Sequence, residues 1–197
     1  MTNLTVNAQK LLKIALECDS DLYDAGMNWY QDAHDYAVTL AERYGYELWQ
    51  AAGVIAALSP QTGWEPNKVA ADRVMHLHSQ GLAVSQQDAG QTQANVTKAL
   101  QILDGIDLNT VLAANMPRSG HKVWSFVNNI VAPSVSQAVT VDRHAIKAWM
   151  VDESWSCITP NRYATIQCDY QAVARAMGIL PSQAQAVIWC AVRGTAA

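Results

Sequence analysis

The chain has 197 residues and a mass of 21.5 kDa, enough for one domain, or two small lobes around a shared cleft, with a substantial core. Half of the residues are hydrophobic and 15% are charged, with a mean hydropathy of -0.03, which excludes a disordered chain. The net charge of -4 excludes a uniformly basic coat for a polyanion, but the charge is unevenly spread. Residues 1–50 carry Lys10, Lys13 and Arg43 against eight acids, net -5, whereas residues 108–151 carry Arg118, Lys122, Arg143 and Lys147 against Asp142 alone, net +3. His121 and His144 fall in the same basic stretch, which is compatible with one positive face or, as is commoner for separated charges on helices, with simply solvated side chains.

No apolar run approaches the roughly 20 residues of a membrane-spanning helix, and the opening Met1–Asn7 lacks the basic-then-apolar pattern of a secretion signal. A cytoplasmic protein is expected, with no membrane partner. Cys18, Cys157, Cys168 and Cys190 are far apart, without the C-x-x-C spacing of a zinc or iron–sulfur site, and read as reduced thiols.

Sustained period-2 alternation is absent, and the Val and Ile residues sit in Ala-rich stretches with helical spacing, which predicts an all-α fold. The first helix runs from about Val6 to Cys18 and ends at Asp19-Ser20-Asp21. A second, from about Gly26 to Tyr44, sets Trp29, Ala33, Tyr36, Ala37 and Leu40 on one stripe. The small-residue segment Glu47–Leu58 is apolar almost all round and belongs at the centre of the bundle.

Ser59-Pro60 stops that helix. Gln61-Thr-Gly-Trp-Glu-Pro reads as a turn in which Gly63 is the residue suited to a positive φ, and Pro66 opens the helix of Asn67–Met75. The Gly, Ser and Gln-rich connection 79–93 is the expected mobile loop, followed by helices near 94–103 and 108–115. Met116-Pro-Arg-Ser-Gly introduces the helix His121–Ile130, and Thr140–Met150 forms another with Asp142 at its N-terminal end. Helices near Asn161–Met177 and Pro181–Val192 close the chain, the latter with a core stripe of Leu180, Ala184, Val187, Ile188 and Ala191.

Two segments carry chemistry. In Met116-Pro-Arg-Ser-Gly-His-Lys, a tight turn opens a helix, so its exposed amides, with Ser119 and the basic neighbours, suit a nucleic-acid phosphate; the plain alternative is a proline-glycine turn between helices. In Val141-Asp-Arg-His, twenty residues after Lys122, Asp142 is either a helix cap or a carboxylate that activates water or stabilises a cationic sugar. A desolvated lysine nearby becomes an amine nucleophile able to form a Schiff base. His34 with Asp35, and His76 with His78, lack a third ligand at a supporting spacing, so no metal is expected.

These segments resemble the helix-hairpin-helix DNA glycosylases related to endonuclease III, in which a Leu-Pro-Gly-Val-Gly-x-Lys hairpin is followed, after one helix, by Val-Asp-Thr-His. Upstream, Ala57-Leu-Ser-Pro-Gln-Thr and Asn67-Lys-Val-Ala resemble that family's Leu-Leu-Ser-x-Gln-Thr and Asn-Lys-Ala pair. The resemblance covers about residues 46–151 and implies a compact, divergent member without the iron–sulfur cysteines, with Arg118 in place of the first hairpin glycine. It implies Asp142 and Lys122 as catalytic residues, Gln61 as the side chain entering the duplex where a flipped base leaves, and Trp64 as a stacking or core residue. Arg118, Ser119, Gly120, His121, Arg143 and His144 complete the expected DNA contacts.

The expected function is excision of a damaged or modified base from duplex DNA by a monomeric N-glycosylase, with strand cleavage if Lys122 attacks the sugar, and no cofactor. Two alternatives stay open on the same scaffold: an enzyme that processes or elaborates a modified base in viral DNA, in the host cytoplasm, and a non-catalytic module that binds DNA or protein.

Overall fold

A computed structural model describes residues 4–113, 121–150 and 159–196. Every regular element among them is helical, with no strand. The order is α1 (Val6–Leu16), α2 (Ser20–Tyr44), α3 (Leu48–Leu58), α4 (Trp64–Ser79), α5 (Gln86–Ala89), α6 (Gln93–Leu103), α7 (Leu108–Leu112), α8 (His121–Val131), α9 (Arg143–Trp149), α10 (Pro160–Met177) and α11 (Pro181–Arg193). None of the described helices is long and apolar enough to cross a membrane. Cys18, Cys168 and Cys190 are free thiols.

Local chemistry explains where the elements start. Asp19 does not simply end α1: its side chain accepts the Asp21 amide at 2.9 Å and caps α2, which therefore begins at Ser20 rather than near Gly26. The turn after α3 also differs from expectation. Gly63 has φ -71°, and the positive φ falls on Gln61, at 60°, the one described non-glycine residue in that region.

Two hydrophobic clusters organise the chain. One surrounds α3, buried continuously from Gln50 to Leu58 as its composition predicts, with α4, α6, α8 and much of α2 packed on it. The other joins α1, α10, α11 and α9 around Leu11, Trp149, Ile166, Tyr170 and Val187. Helices α2 and α11 stitch the clusters together, and their contact is close: a Cβ built on Gly26 would lie 2.5 Å from the Val187 Cα.

The connection 79–93 is a tied segment rather than an open loop. Ser85 caps α5 reciprocally with Asp88, and Arg73 of α4 binds the same carboxylate at 2.6 Å. The Ser85 bonds, then Arg73, hold Asp88 down at about 2. Farther along, Gln91 reaches back to the turn after α3, donating to the Thr62 hydroxyl and, at 3.0 Å, to the Pro60 carbonyl.

Candidate active site

A cleft opens where the two clusters meet. Its deeper part spans about 560 Å³, in part open to solvent, between aromatic walls: Trp29 from α2, Trp64 from α4, Phe126 from α8 and Trp189 from α11. Trp29 is the hub of the wall, with ring centroids 4.9 Å from Trp64, 5.8 Å from Phe126 and 6.0 Å from Trp189. A shallower outer part, about 890 Å³ including open solvent, continues past Gln61, Arg143 and His144. Ser59, Lys122, Asp142 and Trp189 line both parts, so the two are one continuous cleft.

Lys122 comes from the first turn of α8 and is only half-exposed. Burial pushes its ammonium below the ordinary lysine range, with Asp142 pulling it back up and Arg143 pushing it further down. The outcome is a lysine with more neutral amine at a given pH than a surface lysine has.

Asp142 is a helix cap that also lines the cleft. It is the N-cap of α9, accepting the Ala145 amide on Oδ1 at 2.7 Å, and it lines the cleft beside Lys122. No described hydrogen bond engages its Oδ2. Its segment is held from behind by a buried polar framework. The Tyr163 hydroxyl of α10 donates to Val139 O at 2.7 Å and accepts the Val141 amide at 3.2 Å. Next to Asp142, Thr140 lies 3.0 Å from the Tyr30 hydroxyl and receives the Asn129 amide at 3.2 Å. A carboxylate fixed on both flanks is preorganised, which is what electrostatic stabilisation of a developing cation requires.

Gln61 is exposed at the outer rim, its strained backbone bracketed by the two Gln91 bonds. Trp64 is half-buried and serves as core and wall together, with the Lys68 ammonium 5.7 Å from its ring centre. On α9, Arg143 is exposed and donates to His144 Nε2 at 3.3 Å. Burial lowers the His144 imidazole below its usual value, with Asp142 opposing and Arg143, Arg193 and Lys147 assisting the shift. Arg193 stacks 4.4 Å from the Trp189 ring centre, adding a cation to this rim. His121 turns to Tyr163, ring centres 5.5 Å apart. Arg118, Ser119 and Gly120 lie outside the described residues.

Among the described residues no cluster of three or more His, Cys, Asp or Glu is placed to hold a metal. Of the three histidines weighed as ligands, His34 Nδ1 meets Ile130 O at 2.8 Å, His78 bridges Tyr46 and Asp104 at 2.7 and 3.0 Å, and the His76 ring lies 5.8 Å from that of Tyr44.

Sequence reasoning missed three cleft residues: Trp189, Gln185 and the amide role of Asn67. Gln185 is buried on α11 with its Oε1 2.7 Å from the Tyr30 hydroxyl. Asn67 is buried on α4 and donates from Nδ2 to Ile55 O at 3.1 Å. The available signal was an amide on an otherwise apolar helix stripe, since burial of such a group needs a partner.

The chain belongs to a family of unknown function, DUF7178, whose model matches residues 2–196. No curated protein and no solved structure matches it.

Proposed function

We propose that this DUF7178 member is a helix-hairpin-helix DNA glycosylase-like enzyme that binds duplex DNA as a monomer, draws one base into the aromatic cleft and breaks its N-glycosidic bond. The observation that carries the reading is convergence. Gln61, Lys122 and Asp142, brought forward by two separate motifs, come from three distant segments and line one cleft. Its walls are aromatic, as stacking on a planar ring requires, and its rim carries Arg143 and Arg193, suited to phosphates.

In this reading the base leaves the stack at a cost of a few kcal/mol, offset in part by Gln61 filling the gap. As the C1′–N bond breaks, its electron pair departs with the base, and the fixed Asp142 carboxylate stabilises the positive charge gathering on C1′ and the ring oxygen. Water then adds to C1′, and the proton it releases balances the one the departing base takes up. Lys122 has two roles that experiment separates. As a neutral amine it adds to C1′ in place of water, and as the C1′–O4′ bond opens O4′ takes up the proton the amine gives up, leaving a Schiff base that borohydride reduces to a stable adduct; as an ammonium it contacts phosphate and leaves no adduct.

The test is binding to a short duplex containing a stable abasic-site analogue, compared with the intact duplex at two salt concentrations. Preference for the abasic duplex, weakening with salt and reduced in Gln61→Ala, is the expected result. Equal binding of both duplexes, or none, removes the reading.

A further inference from the structure

Deep in the cleft one hydrogen-bonding atom is unmatched. Asn67 is 2% exposed and lines the aromatic part of the cleft, yet its Oδ1 has no hydrogen-bond partner among the described residues. The orientation of the amide is not arbitrary. Its other atom faces the Ile55 carbonyl at 3.1 Å, where only an N–H group is tolerated, so a flipped amide would set two acceptors against each other. The sequence therefore keeps a buried acceptor unpaired on a residue that lines the pocket, a costly arrangement unless something donates to it.

Gln185 offers the complementary group. With its Oε1 turned to the Tyr30 hydroxyl, its Nε2 makes no hydrogen bond to the described residues, and the residue lines the same aromatic part. One unpaired acceptor and one unpaired donor, on residues that line the same aromatic cleft, are the kinds of group that the edge of a planar heterocycle bearing an N–H next to an acceptor would engage.

We propose that Asn67 is a specificity-determining residue: its Oδ1 accepts an N–H from the edge of the base held in the cleft, and so selects bases that carry such a donor. The proposal rests on the reading of the cleft as a base pocket and adds to it what the pocket reads. A base whose donor is methylated leaves Asn67 Oδ1 unpaired and places a methyl group against it, a double penalty.

The experiment uses the unaltered protein and free bases methylated at the nitrogen that would carry the sugar. Trp29, Trp64 and Trp189 line the cleft, so tryptophan fluorescence reports occupancy. Two pairs are compared: 1-methyluracil with 1,3-dimethyluracil, which lacks the ring N–H, and 1-methylcytosine with its N4,N4-dimethyl derivative, which lacks the amino N–H. At least one N–H member should bind roughly five- to tenfold more tightly than its methylated partner, the size of one well-made hydrogen bond. The preference should vanish in Asn67→Leu, checked for an unchanged helical spectrum. Because the ligand pair varies on the native protein, a misfolded variant does not disable the test. Equal binding within both pairs, or no binding of any, overturns the proposal. Abasic-duplex binding measured in parallel separates the two readings: preference for the abasic duplex with no N–H discrimination overturns the Asn67 assignment alone. N–H discrimination without that preference keeps the assignment and removes base flipping.

Discussion

Gln91 clasps the turn that presents Gln61. Its Nε2 donates to Pro60 O on one side of Gln61 and to the Thr62 hydroxyl on the other, while its Oε1 accepts from Asn95 at 3.0 Å. Gln61 is thus held at φ 60° by a side chain thirty residues later in sequence. Gln91→Leu should remove the clasp and weaken binding to the abasic duplex about fivefold, with little change for the intact duplex, as gel-shift titration of the two would read.

The same backbone makes an opposite prediction for stability. A left-handed conformation costs a non-glycine residue about 1–2 kcal/mol, so Gln61→Gly should raise the thermal midpoint while abolishing the abasic preference. A lowered midpoint would mean that the Gln61 side chain is held for packing.

Asp142 can be divided into its two roles. Asparagine caps helices as well as aspartate does, so Asp142→Asn should unfold at nearly the same denaturant concentration as the native chain and lose base excision. Asp142→Ala should lose excision and also about 1 kcal/mol of stability. Full activity in Asp142→Asn would leave the carboxylate a cap and nothing more.

Lys122 gives a pH signature. Its folded-state value lies below the unfolded one, so between the two the unfolded chain binds more protons and stability rises with pH. The penalty is fully present below the folded value and is gone above about 10.4. Lys122→Met should therefore raise the midpoint of chemical unfolding at pH 7, and the gain should shrink as pH climbs through that window. If the lysine is the nucleophile, borohydride trapping on a substrate duplex should increase over the same pH range, and Lys122→Met should show none.

Gly26 has no room for a side chain. In Gly26→Ala the new methyl would meet Val187 backbone atoms at 2.5 and 2.7 Å, which do not yield as a flexible side chain does. The gain in helix propensity, about 1 kcal/mol, is outweighed by overpacking of about 1–3 kcal/mol or more. Urea unfolding should show a net loss, with the cleft between α2 and α11 disturbed first.

Much of this architecture is legible in periodicity and turn chemistry, because both are local. The apolar run Glu47–Leu58 has no polar face and ends up at the centre of a cluster; Pro160 and Pro181 are the first residues of α10 and α11. The convergence of Gln61, Lys122 and Asp142 was legible only because two motifs named them. The role of Gln91 was not, since a Gly, Ser and Gln-rich stretch looks the same whether its amides point to water or to a turn thirty residues away. Trp189 and Gln185 were hidden for a related reason. The α11 stripe reads as ordinary core, and nothing local marks which of its neighbours faces a second helix and which faces a cleft.

Trp29 and Trp189 meet in the cleft wall, ring centres 6.0 Å apart, although 160 positions separate them along the chain. A protein made from its N-terminus therefore completes α2, α3, α4 and α8 long before α11 adds Trp189 to that wall. Contacts of such sequence separation form late, after the entropy of closing a long loop has been met. On the ribosome the emerging chain carries Gln61 and Lys122 before the pocket around them is complete, so a ligand of that cleft has its full site only once α11 has emerged.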